Sequence, residues 1–188
     1  SCHNLKSVTM SDNVAYIGDY AFSDCWSLTS ITIPDGVTCI EYGSFRNCQS
    51  LTSITIPDSV TTIEIFAFAG CSGLKKVILP DNVTNIGTYA FSGCSGLKSL
   101  AIPNSVTIIG GNAFQGCSSL TNITIPDSVT KIGGEAFTHC VNLTSISFSG
   151  TKEKWLSIVF ATERRRESDS GKTIVYCFDG YLKFDFSR

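Results

Sequence analysis

Nine cysteines and two histidines are the residues of this 188-residue chain best suited to chemistry. Seven of them, Cys2, Cys25, Cys48, Cys71, Cys94, Cys117 and Cys140, stand 23 residues apart. Zinc sites ask for close pairs such as Cys-x-x-Cys, and the sequence has none. Neighbouring members of the row are close enough in the pattern to bond, but an odd number cannot all pair. A thiol nucleophile needs a histidine facing it. His3 and His139 are only sequence neighbours of a row cysteine and lie far apart along the chain. The row is therefore expected to be buried, reduced thiols acting as small hydrophobes. Cys39 and Cys177 fall off it. Other units put Tyr16, Thr62, Asn85, Ile108 or Lys131 where Cys39 stands, so Cys39 is expected to be exposed and the reactive thiol. Asp12, Asp35, Asp58, Asp81 and Asp127 also recur, but mostly after proline, which favours turns over a calcium ladder. No Gly-x-Ser-x-Gly, phosphate-cradling loop or carboxylate pair appears. The expectation is a chain with no catalytic residue, no cofactor site and no metal site.

What holds the cysteines at that interval is a repeat. Phenylalanine recurs at 22, 45, 68, 91, 114 and 137, leucine at 5, 28, 51, 74, 97, 120 and 143, and all five prolines share the period. Within the unit beginning at Leu51, Leu51, Ile54 and Ile56 are apolar, with Ser53 and Thr55 between. This predicts a short strand with one buried face. Pro57-Asp58 ends it. Val60 and Ile63 mark a second extended piece. Ala67, Phe68 and Cys71, spaced by one and three, suit one helical or 3₁₀ turn. Such a unit cannot bury its apolar side alone. It stacks on its neighbours about 4.8 Å apart, strand beside strand, into a solenoid lined by ladders of like residues.

The unit resembles the bacterial leucine-rich repeats of the BspA-like, Treponema-type family. Its Leu-x-x-Ile-x-Ile-Pro, Val-x-x-Ile-Gly and Ala-Phe-x-x-Cys elements appear as Leu28 to Pro34, Val37 to Ile40 and Ser44 to Cys48, and again as Leu120 to Pro126, Val129 to Gly133 and Ala136 to Cys140. Departures are few: Ser11 for proline, Glu41 and Glu64 for glycine, Ser44 for alanine. The resemblance implies a right-handed, curved leucine-rich-repeat solenoid with a parallel sheet on its concave face. It also implies a surface or secreted protein of host-associated microbes, some members of which are described as adhesins. The chain begins inside a unit, so upstream sequence with any export signal is expected to be missing.

Residues 1–148 are expected to form the solenoid and residues 149–188 a C-terminal cap. Charged residues number 16 in residues 1–150 and 14 in residues 151–188. Thr151 is placed to N-cap a helix carrying Trp155, Ile158 and Val159. Glu163 to Lys172, with Arg164, Arg165 and Arg166, reads as a solvated loop. Thr173 to Phe178 and Tyr181 to Phe186 alternate around Asp179-Gly180, a hairpin signal. Gly150-Thr151-x-x-x-Trp155 also resembles the tail that follows many arrays of this family.

A net charge of −2 argues against nucleic acid as a partner. No apolar run reaches the length of a membrane span. Stacked repeats expose broad surfaces, so a protein partner is expected. The leading reading is a non-catalytic protein-binding or adhesion module at the cell surface or secreted. The alternative is a structural spacer that presents another domain. Two outward surfaces vary without need of the core. On the strand face, rows of hydroxyls break at Ile78 and Ala101, beside Lys75, Lys76 and Lys98. Before the Ala-Phe pair stand Tyr20, Tyr42, Ile65, Phe66 and Tyr89.

Overall fold

A computed structural model describes residues 2–160 and 173–184, and only the backbone of residues 159 and 160. The Arg164–Arg166 loop lies outside the described residues. Successive coils of 23 residues contribute two strand positions and a turn. The first strand position holds β1 (Ser7–Val8), β2 (Ser30–Ile31), β4 (Ser53–Thr55), β6 (Lys76–Ile78), β8 (Ser99–Ala101), β10 (Asn122–Ile125) and β12 (Ser145–Phe148). The second holds β3 (Cys39–Ile40), β5 (Thr62–Ile63), β7 (Asn85–Ile86), β9 (Ile108–Ile109) and β11 (Lys131–Ile132). Pairing is parallel and in register with the repeat, as in Ser7 with Ser30, Asn122 with Ser145 and Thr62 with Asn85. This is the leucine-rich solenoid that the spacing predicts. A one-residue slip would turn every leucine and isoleucine outward, so the alternation itself holds the register.

The core is a set of ladders. Leu51, Val60, Ile63, Ala67, Phe68 and Cys71 are all fully buried, and so are their counterparts one coil on. Phe22, Phe45, Phe68, Phe91, Phe114 and Phe137 form one stack, with neighbouring ring centroids 5.3 to 5.7 Å apart and planes within 12° of parallel. Hydroxyl side chains complete the ladders at the strand starts. Thr84 Oγ1 donates to the Thr61 carbonyl at 3.2 Å and Thr107 Oγ1 to Thr84 at 3.3 Å. The abundance of threonine thus reflects bonds between coils.

The turn keeps the i→i−3 bonds of the expected 3₁₀ turn but does not run on as a continuous helix. The amides of Ala21, Ser23 and Cys25 donate to carbonyls three residues back, those of Gly18, Tyr20 and Phe22. The alternate amides of Tyr20, Phe22 and Asp24 donate to Tyr42, Ser44 and Arg46 in the next coil, at 2.8 to 2.9 Å. A helix would keep every donor within its own segment. Here every second donor serves the neighbour, so the turn is a third ladder between coils. It needs two left-handed residues per coil. These are Tyr20 and Asp24, Gly43 and Asn47, Phe66 and Gly70, Tyr89 and Gly93, Asn112 and Gly116, and Glu135 and His139.

After β12 the chain forms α1 (Lys152–Phe160), β13 (Thr173–Cys177) and β14 (Gly180–Phe184). Thr151 Oγ1 accepts from the Lys154 amide at 3.2 Å, the expected N-cap. β13 pairs parallel with β12, and β14 antiparallel with β13. Trp155 is fully buried between Phe148 and Phe184, at ring distances of 5.2 and 6.2 Å. The hairpin lies one residue from its expected register. Cys177 pairs with Gly180, so Phe178-Asp179 is the turn and Gly180 opens β14 with φ of 134°. Asp179 Oδ1 instead accepts from the Lys152 amide at 2.8 Å, tying the hairpin to the start of α1. Among the described residues no helix is long and apolar enough to cross a membrane.

Candidate binding surfaces

Side chains on the first strand position alternate between core and solvent, so one outward row begins each strand and a second follows two residues later. Ser30, Ser53, Lys76, Ser99 and Asn122 are exposed in the first row, and Thr32, Thr55, Ile78, Ala101 and Thr124 in the second. Ile78 is 49% exposed at the end of β6, and Ala101 occupies the same place in β8. Lys75, Lys76 and Lys98 are exposed beside them. The residues singled out on this face therefore lie together on adjacent coils, an apolar break with ammonium groups around it. A hollow of about 340 Å³ lies on the same face nearer the N-terminus, between β2 and β4, lined by Ser30, Thr32, Asp35, Thr55 and Pro57 among others.

On the turn side, four of the five residues singled out make a ridge. Tyr20 meets Tyr42 edge-on at 5.1 Å, Tyr42 meets Phe66 at 5.8 Å, and Phe66 stacks on Tyr89 at 4.9 Å. A hydrogen bond to Tyr42 and partial burial raise the pKa of Tyr20. Arg46 lies over the Phe66 ring at 5.6 Å, a contact that sequence spacing does not reveal. Tyr20, Phe66 and Tyr89 hold φ of 54° to 60°, a conformation that costs a bulky side chain roughly 1–3 kcal/mol. Gly43 takes that position in the second coil, and a Cβ there would fall 2.8 Å from the Tyr20 ring. Tyr42 supplies the missing ring from one residue earlier. Ile65 does not join the ridge but lines a groove beside it.

The cysteines divide differently from expectation. Cys48, Cys71, Cys94, Cys117 and Cys140 are buried, and each Sγ donates to a phenylalanine carbonyl 26 residues earlier at 3.0 to 3.3 Å. Burial pushes the Cys71 thiol well up and that of Cys94 to about 12. Cys2 is exposed, against the expectation for a row cysteine. Cys39 is only partly exposed, and burial followed by the charges of Glu41, Glu64 and Asp19 pushes its thiol up to about 12. Cys39 is therefore a poor nucleophile, and Cys2 is the exposed thiol among the described residues. His3 stacks on Trp26 at 4.2 Å, and His139 is exposed at a left-handed position. Among the described residues no three His, Cys, Asp or Glu side chains gather as a metal site.

The chain matches the BspA type leucine rich repeat region in six copies, over residues 1–95 and 39–166. No curated protein matches it. Among solved structures it is similar to a leucine-rich repeat protein from Bacteroides ovatus, with 37% identity and a TM-score of 0.70 over 76% of this chain and 39% of that one. It is similar to a leucine-rich cell surface protein from Faecalibacterium prausnitzii, with 33% identity and a TM-score of 0.69 over 83% of this chain and 51% of that one. It is also similar to the Treponema pallidum leucine-rich repeat protein, with 30% identity and a TM-score of 0.66 over 77% of this chain and 66% of that one. The chain thus spans about two-fifths to two-thirds of the length of these relatives.

Proposed function

Because the chain belongs to the BspA-type leucine-rich-repeat family, we propose that it is a non-catalytic protein-binding module, an adhesion module of a bacterial cell-surface or secreted protein. The single observation that carries this reading is the outward break at Ile78 and Ala101 ringed by Lys75, Lys76 and Lys98. An exposed apolar anchor with a charged rim is the usual anatomy of an interface centre. The surface setting rests on a relative described as a cell surface protein. The partner proposed is an extracellular or surface protein carrying an acidic patch.

Lys76→Glu with Ile78→Ser tests this on a panel of immobilised extracellular proteins. Both side chains point outward, so the melting temperature should not move. Loss of one apolar anchor and reversal of one charge should weaken capture at least about tenfold. Unaltered capture by the double variant would contradict the assignment of this face. The alternative, a spacer presenting another domain, is favoured by the ridge: its Phe66 and Tyr89 faces are stacked on one another rather than offered to a ligand.

A further inference from the structure

A hollow over the second strand position lies beside the aromatic ridge, with Ile65 on its lining, and apart from the strand face. It is a groove of about 420 Å³ that begins at Glu64 and ends at Gly133-Gly134, four successive coils. We propose that it binds an extended peptide segment with a basic side chain at one end, an aliphatic side chain in the middle and an acidic side chain at the other.

Three features of the groove carry this. The first is its floor. At Gly87, Gly110 and Gly133 the coils pack too closely for a side chain, since a Cβ would fall 2.6, 2.5 and 2.2 Å from backbone atoms of the preceding coil, whereas Glu41 and Glu64 hold this place in earlier coils. Gly111 is different. A Cβ there would come no nearer than 3.3 Å to another atom, the Gly134 carbonyl oxygen. The same row carries Tyr42, Ile65 and Thr88 in earlier coils and then only Gly111 and Gly134. Ile65 and Thr88 line the Glu64 half of the groove, and side chains of this row stop in its Lys131 half, at Gly111 beyond what packing asks for. Bare backbone lets another backbone approach closely.

The second feature is the wall, formed by the outward starts of β7, β9 and β11, namely Asn85, Ile108 and Lys131. Ile108 is 40% exposed in its middle. The third is charge. Glu64 closes one end and Lys131 stands at the other. Three coil steps of about 4.8 Å separate their coils, a span of about 14 Å that roughly four extended residues cover at about 3.3–3.6 Å each. Opposite charges at the ends match a segment of opposite polarity and repel one charged alike at both ends.

Titration of the ¹⁵N-labelled chain with acetyl-Lys-Thr-Leu-Thr-Glu-amide tests the proposal. The amide signals of Gly87, Gly110, Gly111, Gly133 and Gly134 should shift saturably, with the peptide lysine toward Glu64. Glu64→Lys and Lys131→Glu should each weaken binding about two- to fivefold. The double swap should restore it, because the peptide can then lie in the opposite direction. Gly111→Leu should fill the groove and abolish the shifts, and the charge swap decides the matter if that variant does not fold. Lys76→Glu with Ile78→Ser should leave this binding unchanged, which separates the groove from the strand face. Absence of saturable glycine shifts at millimolar peptide, or a double swap without recovery, overturns the proposal.

Discussion

Ser44 stands where Ala21, Ala67, Ala90, Ala113 and Ala136 stand in other units. Its Oγ is buried, and among the described residues it has no hydrogen-bond partner. A buried hydroxyl without a partner costs about 1–3 kcal/mol. Ser44→Ala should therefore stabilise the chain by about 1 kcal/mol, read as a higher urea midpoint with unchanged slope. A lower midpoint would show that the hydroxyl supports the fold. This departure is visible in the repeat alone, because five alanines define the site. The cysteines were less legible. Periodicity separated row from off-row thiols and Glu41 stands beside Cys39 in sequence, but the burial that chiefly suppresses Cys39 and the charges of Glu64 and Asp19 arise only when coils stack. Native-state alkylation at neutral pH, read by mass spectrometry, should modify Cys2 first, Cys39 slowly, and Cys71 and Cys94 not at all. Rapid labelling of Cys94 would contradict its burial.

The strands were legible from two-residue alternation, because that pattern is local. The turn was legible only in part. Ala-Phe-x-x-Cys spacing fits a helix, whereas the deciding bonds run to a carbonyl more than twenty residues away, as from Phe68 to Ala90. The same distance hides the reason for the glycines. A Cβ on Gly110 would fall 2.5 Å from the Thr88 amide nitrogen. Gly110→Ala must push neighbouring coils apart or distort both, and should cost about 1–3 kcal/mol, as overpacking does. Gly111→Ala, one residue on, should cost clearly less. Thermal melts of the pair compare them directly. Equal losses would mean that the coils are not packed through this row as described. The groove over the second sheet was likewise illegible, since it is made of missing side chains rather than of a motif.

Across the whole molecule each coil is supported by its neighbours, so stability is close to a sum of nearest-neighbour terms. The strand face and its break at Ile78 could be picked out from sequence, because the repeat shows which positions are free to vary. The Phe stack is the most direct expression of this architecture. Phe91 is fully buried, with Phe68 at 5.3 Å on one side and Phe114 at 5.7 Å on the other. Phe22 is only partly buried and stacks on Phe45 at 5.5 Å. Replacing a buried phenylalanine by alanine costs about 3–5 kcal/mol, combining lost transfer and the cavity left behind. Urea unfolding of Phe91→Ala and Phe22→Ala is the measurement that bears most directly on the stacked-ladder account. Phe91→Ala should fall in that range and Phe22→Ala clearly below it. A loss at Phe91 equal to or smaller than that at Phe22 would contradict the account.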